Sequence, residues 1–295
     1  MISVIVPVYN EENGVAQSLR DLDAALAEFS EYEIIVVDDG STDRTLERIA
    51  EAGVEKLAVV KHPENMGYGK SLIDGITAAR NECICITDGD GSYPATRIGE
   101  LYRFYPDYDM VVGARQGKEY RKGVIKGPAR VIFQMLSEYA AGRSVPDINS
   151  GLRIFKRSVA LKFRDSLCAG FSFTTTITLH FMLNNYYVKY VPIPYHKREG
   201  ISKIRHFRDT LRAFQYIVEA ILYYNPIKLF LLLASLNLIA GGALVALNNM
   251  AAMRLPFLDI LSAILVASFI PIFGLGLIAA QLRKIYGSSQ RRSHD

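Results

Sequence analysis

Along the first third of the chain, short apolar runs rich in Val and Ile alternate with segments whose apolar residues recur every three or four positions. Runs of the first kind are typical of strands buried on both faces, and segments of the second kind are typical of amphipathic helices. The pattern predicts strands at 2–8, 34–37, 57–60 and 84–87, and helices near 14–29, 43–52 and 69–80. Because strands that alternate with helices form parallel βαβ units, the predicted fold class is α/β, a mostly parallel sheet flanked by helices.

The last part of the chain has a different pattern. No charged residue lies between Lys228 and Arg254, and none lies between Asp259 and Arg283. Each gap exceeds the ~20 residues that a helix needs to cross the hydrocarbon of a bilayer. We therefore expect two membrane spans, at about 229–247 and 260–282, joined by a short connection into a hairpin.

Basic residues flank this hairpin on the side of its two ends, which predicts that both chain termini and the α/β domain are cytoplasmic and that the protein is a multi-pass protein of the cell membrane. Just before the first span, residues 201–222 have apolar positions every three or four residues with basic residues between them. This pattern is typical of an amphipathic helix lying in the membrane interface. The expected organisation is a catalytic domain over 1–200, a juxtamembrane helix over 201–224, a hairpin over 225–284 and a basic tail over 285–295.

Composition supports this division. Half of the 295 residues are hydrophobic and 22% are charged, which excludes a disordered chain. The three cysteines cannot form a disulfide framework, and two of them lie in a predicted buried strand. The net charge is only +4, and we expect a membrane partner and no nucleic-acid partner.

Polar residues follow three of the predicted strands, in the segments 7–11, 38–41 and 88–92. Ligands of parallel α/β sheets bind at the carboxyl ends of the strands, so these segments are expected to converge on one site. An EF-hand loop starting at Asp88 would need Gly and Glu where the chain has Tyr93 and Gly99, and neither a Walker A loop nor a dinucleotide fingerprint is present. The Asp88-Gly89-Asp90 sequence instead favours a Mg²⁺ or Mn²⁺ site that leaves room for a substrate phosphate.

The order and spacing of six segments resemble the family 2 glycosyltransferases of the GT-A (Rossmann-like) fold. Within that family they resemble the polyprenyl-phosphate sugar transferases of the dolichol-phosphate mannose synthase type. The segments are Val6–Glu11 (VPVYNE), 37–43 (VDDGSTD), 65–70 (NMGYGK), 88–90 (DGD), 149–153 (NSGLR) and 198–203 (REGISK).

This resemblance implies roles for individual residues. Asp88 lies near the ribose and the sugar, and Asp90 binds the metal. Relatives often have Gln at the position of Ser92, so Ser92 contributes to the metal site directly or through a water. The residues implied for the nucleotide pocket are Pro7, Tyr9, Glu11, Lys70 and one of Asp38 and Asp39, which hydrogen-bonds the base.

The acceptor side of the site is expected to be basic, because two anionic substrates must be held close together. Basic residues cluster in two stretches, 115–130 and 197–212. Arginine binds phosphate in bidentate fashion, which favours the arginines in these two stretches and near 149–153. The predicted acceptor-phosphate residues are Arg115, Arg130, Ser150, Arg153, Arg198 and Lys203, and the predicted catalytic residues are Asp88, Asp90, Arg115 and Arg198. Relatives often have glutamates where this chain has Ser172 and Thr174, so no carboxylate role is expected there.

The sequence thus predicts an inverting, metal-dependent hexosyltransferase that uses a UDP- or GDP-sugar and a polyprenyl phosphate, such as undecaprenyl or dolichyl phosphate. A phosphate nucleophile is already anionic at neutral pH and needs no strong general base. This suits a site without the carboxylates that relatives often have at positions 172 and 174. The alternatives are a glycolipid or polysaccharide hydroxyl as the acceptor, a non-catalytic sugar-nucleotide-binding scaffold, and a nucleotidyltransferase. A homo-oligomer is compatible with all of them.

Overall fold

The computed structural model describes residues 1–117, 128–170, 172–196, 206–250 and 254–292, with side chains described for 1–117, 134–170, 172–196, 214–250 and 254–282. The predicted acceptor residues Arg198 and Lys203 lie outside these ranges, as does the side chain of Arg130. The chain divides into two compact units, Met1–Ile217 and Val218–Asp295.

The first unit is built on a seven-stranded sheet with the strand order β3-β2-β1-β4-β6-β5-β7. β6 runs antiparallel to both of its neighbours, and the other pairs are parallel. The mostly parallel sheet predicted from the sequence is therefore confirmed, and it has the architecture of the GT-A fold. The strands are β1 Ile2–Val8, β2 Tyr32–Asp38, β3 Leu57–Lys61, β4 Cys83–Ile86, β5 Met110–Gln116, β6 Arg153–Lys156 and β7 Val188–Pro194.

Helices cover both faces of this sheet, because successive side chains of a buried strand point to opposite sides and both sides are apolar. Val4 and Val6 of β1 pack into one core with helix α1, whereas Ile5 packs into a second core with α3 and α7. The helices of this part are α1 Val15–Leu26, α2 Thr45–Glu51, α3 Tyr68–Ala78, α4 Arg97–Tyr102, α5 Pro128–Ala141, α6 Arg157–Lys162, a 3₁₀ turn Arg164–Ser166, α7 Phe173–Leu183 and α8 His206–Tyr224.

The second unit consists of long apolar helices whose large side chains are mostly exposed. They are α9 Pro226–Met250, α10 Pro256–Ala267 and α11 Phe269–Arg292. By length and composition, Pro226–Met250 and Pro256–Leu282 can each cross a membrane, as the sequence predicted. The second span is interrupted at Ser268, because Pro271 has no N–H to donate to the carbonyl of Ala267.

A buried amide closes the turn between the two spans. The side chain of Asn248 is almost fully buried, donates to Asp259 Oδ1 at 2.8 Å and accepts from the Leu255 amide at 2.9 Å. Gly241 lies against Ser262 and Val266, and Gly276 lies against Phe230, so the absence of side chains lets the helices approach closely. These contacts hold the hairpin together.

Arg153 at the start of β6 is fully buried. Its guanidinium donates to the carbonyl oxygens of Ser150, Thr174 and Ile148 and to the hydroxyl of Thr178, which uses all five of its N–H donors. Burial lowers the pKa of this guanidinium from its ordinary value. A phosphate could bind here only if a buried hydrogen bond were broken, so the expectation that Arg153 contacts the acceptor is corrected. Arg153 holds the 148–150 segment against α7.

We predict that Arg153→Met lowers the free energy of unfolding by about 3–5 kcal/mol, because it leaves several buried carbonyl oxygens without donors. Denaturant unfolding of the full chain in detergent measures this loss. Arg80→Met is the matched control, since the Arg80 side chain is 89% exposed and its loss should change stability by less than about 0.5 kcal/mol. Equal stability of the two variants would contradict a structural role for Arg153.

Candidate active site

The polar segments after β1, β2 and β4 lie at one edge of the sheet, because β1 is parallel to both β2 and β4. Val8 pairs with Asp38 in register, so the segments that follow β1 and β2 leave the sheet side by side. Hydrogen bonds then join the segments beyond the strands: the Asn10 amide donates to Ser41 Oγ at 2.9 Å, and the Glu11 amide donates to Thr45 Oγ1 at 2.8 Å. The segments at 7–11 and 38–45 therefore form one surface.

The Asp39 carboxylate forms hydrogen bonds within the protein. Its Oδ1 accepts from the Met66 amide at 2.9 Å and lies 2.7 Å from His62 Nδ1, and its Oδ2 accepts from the Gly67 amide at 2.8 Å. With these three partners, the Asp39 carboxylate holds the 62–67 segment in place.

Asp38 has a different environment, although it is also fully buried. Its Oδ1 accepts from the Ser41 amide at 3.2 Å, whereas its Oδ2 has no partner among the described residues. A buried carboxylate oxygen without a donor is costly, and the N–H edge of a nucleotide base would supply one. Of the two candidates for the base contact, the geometry favours Asp38.

Asp88 and Asp90 follow β4. The Tyr68 hydroxyl donates to Asp88 Oδ1 at 3.0 Å, and burial together with the Asp88 charge raises the pKa of Tyr68 well above its ordinary value, which keeps this hydroxyl protonated. Gly151 packs against the same carboxylate, since a Cβ there would lie 2.7 Å from Asp88 Oδ2. Tyr68 and Gly151 both lie in segments that carry the family resemblance, but the sequence did not indicate that they fix Asp88.

The Asp90 carboxylate is 4% exposed, and its Oδ1 accepts from the Ser92 amide at 3.0 Å and from the Ser92 hydroxyl at 2.6 Å. Within the part of the chain that the structure describes, no three His, Cys, Asp or Glu side chains form a group that could hold a metal ion. A carboxylate beside a hydroxyl nevertheless fits Mg²⁺ or Mn²⁺, because such ions are often held by one or two carboxylates and complete their coordination with water and substrate phosphate. The donor set fits a cation shared with a diphosphate.

Arg115, at the end of β5, forms a bidentate pair with Asp147 through Nε to Oδ2 at 2.7 Å and Nη2 to Oδ1 at 2.8 Å. Its guanidinium also lies 5.4 Å from the centre of the Tyr195 ring. Asp147 is nearly fully buried and was not indicated by the sequence, although it lies two residues before the Asn149-Ser150-Gly151 motif. The pair fixes the orientation of the planar guanidinium.

Two other predicted residues have internal partners. Ser150 is fully buried and its hydroxyl donates to the Gly113 carbonyl at 2.5 Å, so we reassign it from the acceptor site to holding the motif against β5. Lys70 Nζ lies 2.6 Å from Asp74 Oδ1 on the same helix. Its contact with the nucleotide stays a prediction, as do those of Pro7, Tyr9 and Glu11.

The segment before α7 lies against the start of α3, where the Lys70 amide donates to the Ala169 carbonyl at 2.7 Å. Ser172 and Thr174 are both almost fully buried, and the neighbouring Thr175 hydroxyl donates to Asn149 Oδ1 at 3.1 Å. In the sequence no Asp or Glu lies between Asp165 and Glu199. This segment therefore has hydroxyl groups and no carboxylate.

Residues 3–164 match the family described as "Glycosyl transferase family 2". The chain belongs to this family. A low-salt glycan biosynthesis hexosyltransferase of Haloferax volcanii is 30% identical over 223 residues, 74% of this chain, which spans only about half (53%) of that protein. An undecaprenyl-phosphate 4-deoxy-4-formamido-L-arabinose transferase of Klebsiella pneumoniae is 25% identical over 99% of this chain and 90% of its own length.

Solved structures support the GT-A fold of this family 2 glycosyltransferase. A glucosyl-3-phosphoglycerate synthase from Mycobacterium tuberculosis, in complex with Mn²⁺, UDP and glucosyl-3-phosphoglycerate, superimposes with a TM-score of 0.61 at 19% identity, over 75% of this chain and 79% of that one. The same protein has also been solved with Mg²⁺ and UDP, with a TM-score of 0.61 at 18% identity and the same coverage of both chains. At this identity the likeness establishes the fold alone.

We predict that Asp38→Asn weakens binding of the preferred nucleoside diphosphate about 10- to 100-fold, because an amide has one acceptor oxygen and cannot accept from both the Ser41 amide and the base N–H. Isothermal titration of the purified full chain with UDP and GDP in the presence of Mn²⁺ measures the affinity. Asp107→Asn is the matched control at an exposed position. Unchanged affinity in Asp38→Asn would show that the base binds elsewhere.

Proposed function

We propose that this family 2 glycosyltransferase transfers a hexose, with inversion, from a UDP- or GDP-sugar to a polyprenyl phosphate at the cytoplasmic face of the cell membrane. The observation that carries the proposal is the edge of the sheet after β1, β2 and β4. There a buried Asp38 oxygen has no donor among the residues that the structure describes, and the Asp90–Ser92 pair fits a cation shared with a diphosphate. The relative named as an undecaprenyl-phosphate transferase, which covers nearly the whole chain, supports a lipid phosphate as the acceptor.

Donor binding follows from the same side chains. Asp38 receives the base, and Asp88, fixed by the Tyr68 hydroxyl at 3.0 Å, lies beside the ribose and sugar. Asp90 and Ser92 would hold Mg²⁺ or Mn²⁺, which as a Lewis acid would stabilise the departing diphosphate. In this proposal the acceptor attacks the anomeric carbon from the side opposite the diphosphate, which accounts for the inversion.

The acceptor step needs positive charge and no strong base. A phosphomonoester is largely dianionic at neutral pH, so one of its oxygens can attack the anomeric carbon while the bond to the diphosphate breaks, with no proton transferred. The absence of acidic residues between Asp165 and Glu199 suits this nucleophile. We propose that Arg115, oriented by Asp147, binds the phosphate, and Arg130, Arg198 and Lys203 stay predicted partners.

A hydroxyl acceptor on a glycolipid or polysaccharide is the second candidate. It is favoured by one observation, the 30% identity to a hexosyltransferase named for glycan biosynthesis. Such an acceptor must lose a proton during the reaction and would want a catalytic carboxylate. The segment before α7 has no carboxylate. A hydroxyl acceptor is therefore the weaker proposal.

We predict that the full chain in detergent forms a glycolipid from a UDP- or GDP-hexose and undecaprenyl or dolichyl phosphate, and that a chelator stops the reaction. Asp90→Asn should lower the rate at least about 100-fold because the cation loses its carboxylate, whereas the exposed control Asp107→Asn should be as active as the wild type. Radiolabelled sugar in the lipid extract measures transfer.

Three results of this assay would count against parts of the proposal. Transfer to a lipid-linked hydroxyl with none to the phosphates would favour the second candidate. Near-normal activity of Asp90→Asn would contradict the metal assignment. Tight nucleotide binding without any transfer would favour the non-catalytic scaffold.

For the membrane topology we predict that Asn249→Cys, in the exposed end of α9, reacts with an impermeant maleimide on intact cells. Gln17→Cys, exposed on α1, should react only after permeabilisation, because the catalytic unit is cytoplasmic in this proposal. The native cysteines give little background, since all three are buried and burial raises the pKa of the Cys83 thiol to about 12. The opposite labelling pattern would reverse the topology.

A further inference from the structure

A buried histidine that the proposed reaction does not use lies between two carboxylates. The ring of His62, 7% exposed, has Nδ1 at 2.7 Å from Asp39 Oδ1 and Nε2 at 3.0 Å from Asp74 Oδ2. The other oxygen of Asp74 accepts from Lys70 Nζ at 2.6 Å. These four side chains, Asp39, His62, Asp74 and Lys70, form a continuous chain from the end of β2 to the first turn of α3.

Hydrogen-bond chemistry defines the charge of this chain. A carboxylate only accepts hydrogen bonds, so a ring nitrogen at hydrogen-bond distance from one must carry a proton. Both ring nitrogens of His62 have such a neighbour, and an imidazolium, with two N–H donors, satisfies both carboxylates. Charges then alternate along the chain, negative at Asp39 and Asp74 and positive at His62 and Lys70, and sum to zero. A neutral ring would leave one carboxylate facing a nitrogen lone pair, which is costly in a buried site.

The series of hydrogen-bonded side chains that runs from Lys70 through Asp74 and His62 ends at Asp39, on the wall of the predicted base pocket. Asp39 accepts from the amides of Met66 and Gly67, and the His62 amide donates to the Asp38 carbonyl at 2.9 Å. Gly40, at a φ of +71°, lies against the backbone of Glu64 so closely that a Cβ would come within 2.6 Å of it. The 62–67 segment is thus packed on the turn that follows Asp38, and its position depends on the carboxylate that His62 holds.

We propose that His62 is a positioning residue for the nucleotide: its imidazolium fixes Asp39, and Asp39 fixes the 64–67 segment beside Asp38 so that the base pocket is formed before the nucleotide binds. This inference rests on the proposed use of a nucleotide sugar. His62 acts through Asp39 and touches neither the sugar nor the diphosphate. Its loss therefore affects donor binding more than the chemical step.

The variants His62→Gln and Asp74→Asn test this role. A glutamine amide can donate to one carboxylate but not to both, and it carries no charge. We expect His62→Gln to raise the Kd of UDP or GDP with Mn²⁺, and the KM of the corresponding sugar nucleotide, about 10-fold, with kcat changed less than about 3-fold. Asp74→Asn should shift the Kd in the same direction by a smaller factor, because its amide oxygen still accepts from His62.

His180→Gln is the matched control. His180 stacks on Phe163, and its Nε2 lies 3.3 Å from the Ser166 carbonyl, in a part of α7 away from this chain of charges. The same substitution there should leave Kd, KM and kcat as in the wild type. An equal rise in Kd for both histidine variants, or no rise for His62→Gln, would overturn the proposal.

A spectroscopic measurement on the wild type does not depend on whether a variant folds. In ¹⁵N NMR spectra of histidine-labelled protein, both ring nitrogens of His62 should have the shifts of N–H donors hydrogen-bonded to carboxylates. The resonances are assigned in the wild type by correlation of the ring nitrogens with the His62 backbone. A neutral tautomer of His62 would overturn the proposal. If the wild type binds neither UDP nor GDP, the proposed function fails and this inference fails with it; if the wild type binds and His62→Gln binds equally well, only this inference fails.

Discussion

The parallel pairing of β1 with both β2 and β4 is the constraint on which the candidate site depends. It brings three chain segments, separated by tens of residues, to one edge of the sheet. The apolar residues of β1 that secure this pairing belong to two separate cores, one on each face. Burial on both faces fixes the register, since a slip by one residue would exchange the two sets of side chains. The acidic residues can therefore have specialised roles, because the strands beneath them are held in one register.

The carboxylates at this edge differ in their hydrogen-bond partners and therefore in their roles. Asp39 is saturated by two amides and His62, and so it supports a neighbouring segment. Asp38, the next residue along the chain, keeps one buried oxygen without a partner among the described residues. Asp90 is paired with the Ser92 hydroxyl, and Asp147 orients Arg115. Two of these four acids thus organise the protein, and the other two are suited to the substrate and a cation.

The hydrophobic pattern predicted the strands β1 to β4, the helices α1 to α3 and the apolar hairpin, because each depends on local periodicity. It did not predict that β6 is antiparallel, since four residues carry no signal of strand direction. Asp38 and Asp39 could not be distinguished because neighbouring strand residues point to opposite faces, and only the fold shows which face each meets. Arg153 and Ser150 resembled ligand residues, but several groups that bind them, those of Thr174, Thr178 and Gly113, are distant in sequence. The Arg115–Asp147 and His62–Asp74 pairs were unpredictable for the same reason.

The most direct test of this account is a structure of the full chain with Mn²⁺ and its preferred nucleoside diphosphate, in which anomalous scattering locates the metal. We predict one Mn²⁺ bound by Asp90 and by both phosphates, with the base N–H donating to Asp38 Oδ2 and the 64–67 segment unmoved. A metal held away from Asp90, or a base bound at Asp39 after the 64–67 segment has shifted, would contradict it.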